Sequence, residues 1–274
     1  MDGTFAGGRP LWLDRLGRVR NVVRQELIGR QLDRHLSGPP STILDVGAGQ
    51  GTQGLRLARA GHHVTAVEPD AAMRSAFTVA LNDEPAGVQD RVRLQAGSVD
   101  DLDAVAGSFD AVLLLGVLMY LPDPYPTVAA LAARVAPGGL LALAVRTTTS
   151  ALWRPAARQD WFAARAAIAE HDRAKAEGRD MDYLNEIGTP AHAQDFDALI
   201  AVAARQGLQL EQWYGIRIAV DTEELDPPPP SDPDELIALL EVEEYLASTD
   251  PFRQLGQLAH VILRRPDHVD AAAC

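Results

Sequence analysis

The stretch Thr42-Ile-Leu-Asp45-Val-Gly47-Ala48-Gly49-Gln-Gly51 constrains this chain more than any other segment. It reads as an apolar strand that runs into a tight glycine turn and then a helix. A second apolar strand, His63-Val-Thr-Ala-Val67, follows about twenty residues on and ends in Glu68. Strand, glycine turn, helix, strand and acid in that order is the layout by which a doubly wound, Rossmann-like α/β sheet holds a nucleoside cofactor. The glycines let the backbone turn sharply and approach a ligand with no Cβ in the way. The acid at the end of the second strand can accept both ribose hydroxyls.

The rest of the chain fits that sheet. Val19 to Leu36 has apolar residues at helical spacing, and helices are expected near 52–60, over 71–82 with Asp70 as cap, and near 126–135, ended by Pro137-Gly-Gly139. Short strands are expected at 92–95, 109–115 and 140–145, the last two continuously apolar, as strands buried on both faces are. Alternation of strand and helix implies a mostly parallel sheet with right-handed crossovers. Beyond 146, an Ala- and Arg-rich helical stretch (153–176) and a polar segment (178–189) read as an inserted lid. A helix at 195–206, a strand at 208–213, a helix at 233–248 with Leu236, Leu239, Leu240 and Leu246 facing inward, and a strand at 258–263 complete the pattern. The expected organisation is a helical cap (1–40), a cofactor-binding core (41–146), a helical lid (147–193), a C-terminal part of the same sheet with an inserted helix (194–266) and a tail (267–274).

Composition narrows the function. The chain of 274 residues is 47% hydrophobic and carries a formal net charge of −13, which argues against a broad electrostatic grip on nucleic acid. Positive charge concentrates at Arg15, Arg18, Arg20, Arg24, Arg30 and Arg34, which reads as a local basic patch or equally as a solvated helix face. Met1-Asp-Gly-Thr-Phe-Ala-Gly-Gly8 has neither the basic end nor the apolar core of a secretory signal, and the apolar run 111–121 is too short for a bilayer. The only cysteine, Cys274, leaves no pair for a disulfide or thiolate-metal site within one chain. A cytoplasmic protein with no metal and no membrane contact is expected, of unspecified oligomeric state.

The alternating glycines choose the cofactor. A dinucleotide fingerprint needs a small third residue at position 52, where this chain has Thr52. The string from Asp45 to Gly51 resembles motif I of class I S-adenosylmethionine-dependent methyltransferases. A nicotinamide enzyme and a cofactor-binding scaffold without turnover are the rival readings. The resemblance implies that Asp45, Gly47, Ala48, Gly49, Gly51, Glu68 and Pro69 hold S-adenosylmethionine, and S-adenosylhomocysteine after reaction. It further implies an adenine contact from Ser98 and Val99, where the family carries an acid directly after the glycine, and a contact to the methionine and ribose from Leu115, at the end of the fourth strand.

Segments outside the sheet sharpen the resemblance. Gly17-Arg-Val-Arg20, Val117-Leu-Met-Tyr120-Leu-Pro-Asp123-Pro, Gly215-Ile-Arg217-Ile, Leu239-Leu-Glu241-Val-Glu243 and Asp250-Pro-Phe252-Arg-Gln-Leu255-Gly-Gln257-Leu-Ala-His260-Val are, in order and spacing, similar to the bacterial tRNA 5-carboxymethoxyuridine methyltransferases. Those enzymes esterify the wobble-uridine carboxylate. The resemblance implies that Arg20 pairs with the methionine carboxylate of the cofactor. It makes Arg217 and Tyr120 the candidate catalytic residues, with Arg217 gripping an acceptor carboxylate from a strand-like segment; a structural salt bridge is the alternative for Arg217. Gln257 replaces a basic residue of the family, which with the acidic charge speaks for a small-molecule carboxylic acid or natural-product acceptor, whereas the matches spread along the chain speak for tRNA, the favoured acceptor. A carboxylate acceptor is already ionised and needs no base. A hydroxyl or amine would need one, for which His260 and His192 are candidates, and Trp153, Tyr183 and Tyr214 could stack an aromatic acceptor.

Overall fold

The computed structural model describes residues 4–221 and 226–267. Cys274 and all but the first residue of the expected 267–274 tail lie outside them. The N-terminal region forms α1 (Thr4–Asp14) and α2 (Val19–His35). The core then alternates as read from sequence: β1 (Thr42–Val46), α3 (Thr52–Arg59), β2 (His63–Glu68), α4 (Ala71–Asn82), the short α5 (Ala86–Gln89), β3 (Val92–Ala96), β4 (Phe109–Leu115), α6 (Tyr125–Ala132) and β5 (Val135–Val145). Asp70 caps α4 as expected, accepting from the Ala72 and Met73 N–H groups at 2.8 and 3.0 Å. There follow α7 (Thr148–Ala157), α8 (Trp161–Glu177), a hairpin of β6 (Met181–Leu184) and β7 (Pro190–Ala193), α9 (Phe196–Arg205), β8 (Gln209–Ile216), α10 (Pro233–Ser248) and β9 (Leu258–Arg264).

Seven strands make one sheet in the order β3-β2-β1-β4-β5-β9-β8. The first five are mutually parallel, and β9 runs antiparallel between β5 and β8. Side chains alternate between two cores, as strand geometry requires. Ala111 and Leu113 of β4, with Leu140, Ala142 and Ala144 of β5, face Val23, Leu27 and Leu32 of α2, Leu57 of α3 and Leu240 of α10. Val112, Leu114, Leu141 and Leu143 face Val128 and Leu131 of α6 and Leu199 of α9. Because both faces are covered, β4 and β5 read as unbroken apolar runs.

Several boundaries differ from the sequence expectation for identifiable reasons. The expected helix end at Pro137-Gly-Gly139 lies inside β5, which begins at Val135 pairing with Phe109 and shifts register before Leu140. A Cβ on Gly139 would meet the Ala136, Asp110 and Phe109 carbonyl oxygens at 2.9–3.0 Å, so the glycine serves a close strand approach. The expected 153–176 helix is two helices, broken at Gln159, whose φ is +60°. The polar 178–189 segment contains β6 and part of the hairpin, packed by Met181 and Ala193 against Ala151 and Ala174. On α10 Leu236, Leu239 and Leu240 pack against the core as expected, Leu246 is half-buried, and the fully buried residues also include Glu243 and Ala247. Glu243 is buried because its carboxylate accepts the N–H groups of Ile218, Ala219 and Val220 at 2.8–2.9 Å, tying down the loop after β8.

Candidate active site

The chain leaves β1 toward β2 on one side and passes from β4 to β5 on the other. This reversal opens a crevice at the C-terminal ends of the strands, where doubly wound sheets bind ligands. A cavity of about 770 Å³ occupies it.

At one end lies the glycine loop. Gly47, Gly49 and Gly51 all have positive φ (70°, 58° and 89°), a region open to glycine but strained for side chains with a Cβ. Gly47, Ala48 and Gly49 line the cavity, and a Cβ on Gly49 would point into open space. Gly51 does not line it. It lies beneath, where a Cβ would sit 2.4 Å from the Phe77 ring, so its contribution is to the turn and its packing. Glu68 is 6% exposed, and its two oxygens accept the Gly49 and Asp70 N–H groups, each at 2.8 Å. Burial raises its pKa and those two backbone bonds oppose the rise. Beside it, burial and then the Glu68 charge push Asp45 up to about 7.

Pro69, Val99, Asp100 and Leu115 also line this end, but Ser98 does not. Its hydroxyl accepts the Asp100 N–H and donates to Asp101 Oδ2, while Asp101 also accepts the Ser98 N–H. This closed capping box of the 3₁₀ turn 99–104 engages the Ser98 hydroxyl and N–H within the turn. Above Leu115, Arg24 donates from Nη2 to the Leu115 carbonyl and lies over the Trp12 ring, 5.0 Å from its centroid. Among the described residues it pairs with no carboxylate, and burial lowers its pKa to about 10.

The other end is a buried ionic cluster. Arg217 does not lie on a strand: β8 stops at Ile216, and Arg217 has a φ of +63°. Its fork closes on Glu186, from the β6–β7 turn, at 2.7 and 3.0 Å, and Nη2 also meets Asp221 at 3.0 Å. That carboxylate pair holds the guanidinium above its ordinary pKa despite burial, and Glu186 is held low by the same contact. Asp221 further collects Arg20 Nε at 3.1 Å and Arg158. Tyr120 lines the cavity and accepts from Asn185 Nδ2 at 3.0 Å; burial pushes its phenol up to about 12.

Neither candidate histidine reaches the cavity. His260 is fully buried in β9, its Nδ1 2.7 Å from Gln31 Oε1, and burial lowers its pKa to about 3. His192 pairs with Asp182 on the outer hairpin. Trp153 and Tyr214 also lie elsewhere, whereas Tyr183 lines the site. The basic N-terminal cluster divides by helical spacing. Arg20 and Arg24 point inward, one turn apart, and Arg30 and Arg34 pair with Glu244 on α10. Sequence reasoning missed Arg24, Arg146, Asn185 and Glu186 as lining residues; the i, i+4 spacing of Arg20 and Arg24 was the available signal for the first. Among the described residues no group of acidic, histidine or cysteine side chains could hold a metal, and no helix is long and apolar enough to cross a membrane.

Residues 44–143 match the family model of the methyltransferase domain. The core is a methyltransferase domain with the class I, Rossmann-like fold. The chain is similar to ubiquinone biosynthesis O-methyltransferase of Xanthomonas axonopodis pv. citri (strain 306), 38% identical over 132 residues that span 48% of this chain and 52% of the relative. That of Xanthomonas campestris pv. campestris (strain B100) is 39% identical over 114 residues, 41% and 46% of the two chains. The chain spans about half the length of the curated relatives it matches. Among solved structures, magnesium protoporphyrin IX methyltransferase from Synechocystis PCC 6803 aligns with a TM-score of 0.59 over 94% of each chain at 16% identity. The 1,6-didemethyltoxoflavin-N1-methyltransferase of Burkholderia thailandensis aligns at 0.55 over 96% of this chain and 84% of that one, at 19% identity. At these identities the chain shares a fold with them. The similarity to tRNA 5-carboxymethoxyuridine methyltransferases is not among these matches.

Proposed function

We propose that this methyltransferase moves a methyl group from S-adenosylmethionine to a carboxylate oxygen of its acceptor, the favoured acceptor being 5-carboxymethoxyuridine in tRNA. The observation that carries the reading is convergence. Arg20, Val117 with Met119 to Asp123, Arg217 and Gln257 come from four of the five segments that carry the resemblance, far apart in sequence, and all line one cavity.

The residues fit the cofactor. Each Glu68 oxygen keeps a lone pair beyond its backbone bond, enough for two ribose hydroxyls. Gly49 leaves the loop face open, Arg24 stands at the β4 side for the amino-acid carboxylate, and Arg20 lines the same cavity from its pairing with Asp221. When bound, S-adenosylmethionine supplies a methyl on a sulfonium, which leaves in line toward a nucleophile. The protein's work is therefore to align the acceptor and exclude water. The hairpin turn, carrying Tyr183, Asn185 and Glu186, and α1, carrying Trp12, roof the cavity for that purpose. No histidine lines the cavity among the described residues, Tyr120 stays protonated, and Glu186 is held low, so the site suits an acceptor that arrives ionised. The relatives are named O-methyltransferases, and a carboxylate also receives its methyl on oxygen.

A small carboxylic acid is the second reading, favoured by the net charge of −13 and by Gln257 at the cavity wall. The test is mass spectrometry of tRNA nucleosides from cells with and without the protein, with methyl transfer to the purified undermodified tRNA. Loss of the methyl ester in the deletion supports tRNA. Unchanged nucleosides and no transfer in vitro overturn it.

A further inference from the structure

Arg146 is the first residue past β5. Register pairs Val145 with Ala259, which sets Arg146 level with Leu258 and beside Gln257 at the cavity wall. The side chain is 6% exposed and lines the cavity. It shares with Arg24, which rests on the Leu115 carbonyl and the Trp12 ring, the lack of a carboxylate partner among the described residues, and in this it differs from the remaining buried arginines. Arg20 and Arg158 rest on Asp221, Arg154 on the Arg217 and Leu255 carbonyls, and Arg217 on Glu186 and Asp221. Arg146 has no carboxylate within 4.0 Å among the described residues. Its Nε is buried without a partner, and among the described residues the only hydrogen bond from its fork is a long one of 3.5 Å from Nη2 to the Ser150 carbonyl. One face of the guanidinium is covered by the Tyr183 ring, 4.8 Å from the centroid.

A guanidinium taken out of water without a counter-charge is costly, so such groups in proteins are paired or bind anions. The stack on Tyr183 fixes the plane of the fork, which is what a two-point grip on a carboxylate requires. We infer that Arg146 is the residue that binds the acceptor's carboxylate. Arg217, whose fork is already closed on Glu186, is a positioning residue that latches the β6–β7 turn over the cavity. The assignment rests on the anionic-acceptor reading and changes which arginine meets the acceptor.

The division of roles is testable without knowing the acceptor. Phenoxyacetate, an aryl ether of the carboxymethoxy type, is titrated into protein saturated with S-adenosylhomocysteine, with its neutral methyl ester as control. Arg146→Gln should weaken phenoxyacetate binding by about tenfold to a hundredfold, with Arg146→Lys recovering part of the loss. The ester and S-adenosylhomocysteine should bind wild type and Arg146→Gln alike. Arg146→Gln strands no carboxylate and should not lower the melting temperature, whereas Arg217→Gln strands Glu186 and Asp221 and should lower it. Failure of wild type to bind phenoxyacetate, or equal binding by Arg146→Gln, overturns the inference. Binding that depends on Arg146 in a protein that leaves tRNA unmethylated would instead remove tRNA alone.

Discussion

Glu68 Oε2 accepts the Gly49 N–H at 2.8 Å, so the acid at the end of β2 is tied to the glycine loop at the end of β1. The ribose-binding group is thus oriented by the loop that shapes the rest of the cofactor pocket. Glu68→Ala removes charge-assisted bonds to both hydroxyls and frees two buried N–H groups. Affinity for S-adenosylhomocysteine should fall by about 2–4 kcal/mol, read by calorimetry. Unchanged affinity would remove Glu68 from this role.

Arg24 and Arg20 separate binding from stability. Arg24 meets a carbonyl and a ring and no carboxylate, so Arg24→Gln should leave folding intact and weaken S-adenosylhomocysteine by about 1–3 kcal/mol. Methylthioadenosine, which lacks the amino-acid part, should bind both proteins equally. Arg20→Ala should weaken the same ligand and also lower the melting temperature, because Asp221 loses a buried partner.

Asp45 should make stability fall as pH rises. Its folded pKa of about 7 lies above the ordinary 3.8, so between those values the folded protein holds a proton that the unfolded chain has released. The penalty grows from about pH 4 and is complete above about pH 7, to at most about 4 kcal/mol. Asp45→Asn should therefore raise the melting temperature at pH 8, with the gain vanishing toward pH 4. A gain independent of pH would place the ionisation elsewhere.

His260 should act in the opposite sense. Its folded pKa of about 3 lies below 6.5, so its contribution is intact above pH 6.5 and lost progressively as pH falls toward 3. His260→Gln should flatten acid unfolding in that window. It should not change the chemistry, nor should His192→Ala.

With the Asp45 carboxyl removed by Asp45→Asn, the rate of transfer should be flat from about pH 6 to 9, because a carboxylate acceptor already carries its charge. A sloping profile that flattens in His192→Ala or His260→Gln would sink the carboxylate reading.

The parts of the site legible in the sequence are those encoded locally. From Thr42 to Glu68 the pocket is written within one β-α-β unit, and strand, turn, cap and acid all fall where neighbours in the chain put them. What escaped depends on distant partners. Sequence leaves open whether Arg217 grips an acceptor or closes a salt bridge until Glu186 arrives from the hairpin, and it does not show that Asp101 engages the Ser98 hydroxyl in a capping box. Arg146 reads as an ordinary polar strand end, since nothing nearby in sequence shows that no carboxylate will meet it. The Pro137-Gly-Gly139 signal was local but ambiguous, because a glycine that ends a helix and one that admits a neighbouring strand look alike.

The position of β9 between β5 and β8 has a consequence for synthesis. When the ribosome has made Val145, the five parallel strands can assemble, but the free edge of β5 must wait for a partner encoded after the hairpin, β8 and α10. An apolar, unpaired edge is the surface on which nascent chains pair with one another. Yield in the cell should therefore depend on holding chaperones during that interval, and slowing translation downstream of codon 145 should lower soluble yield without altering the finished fold.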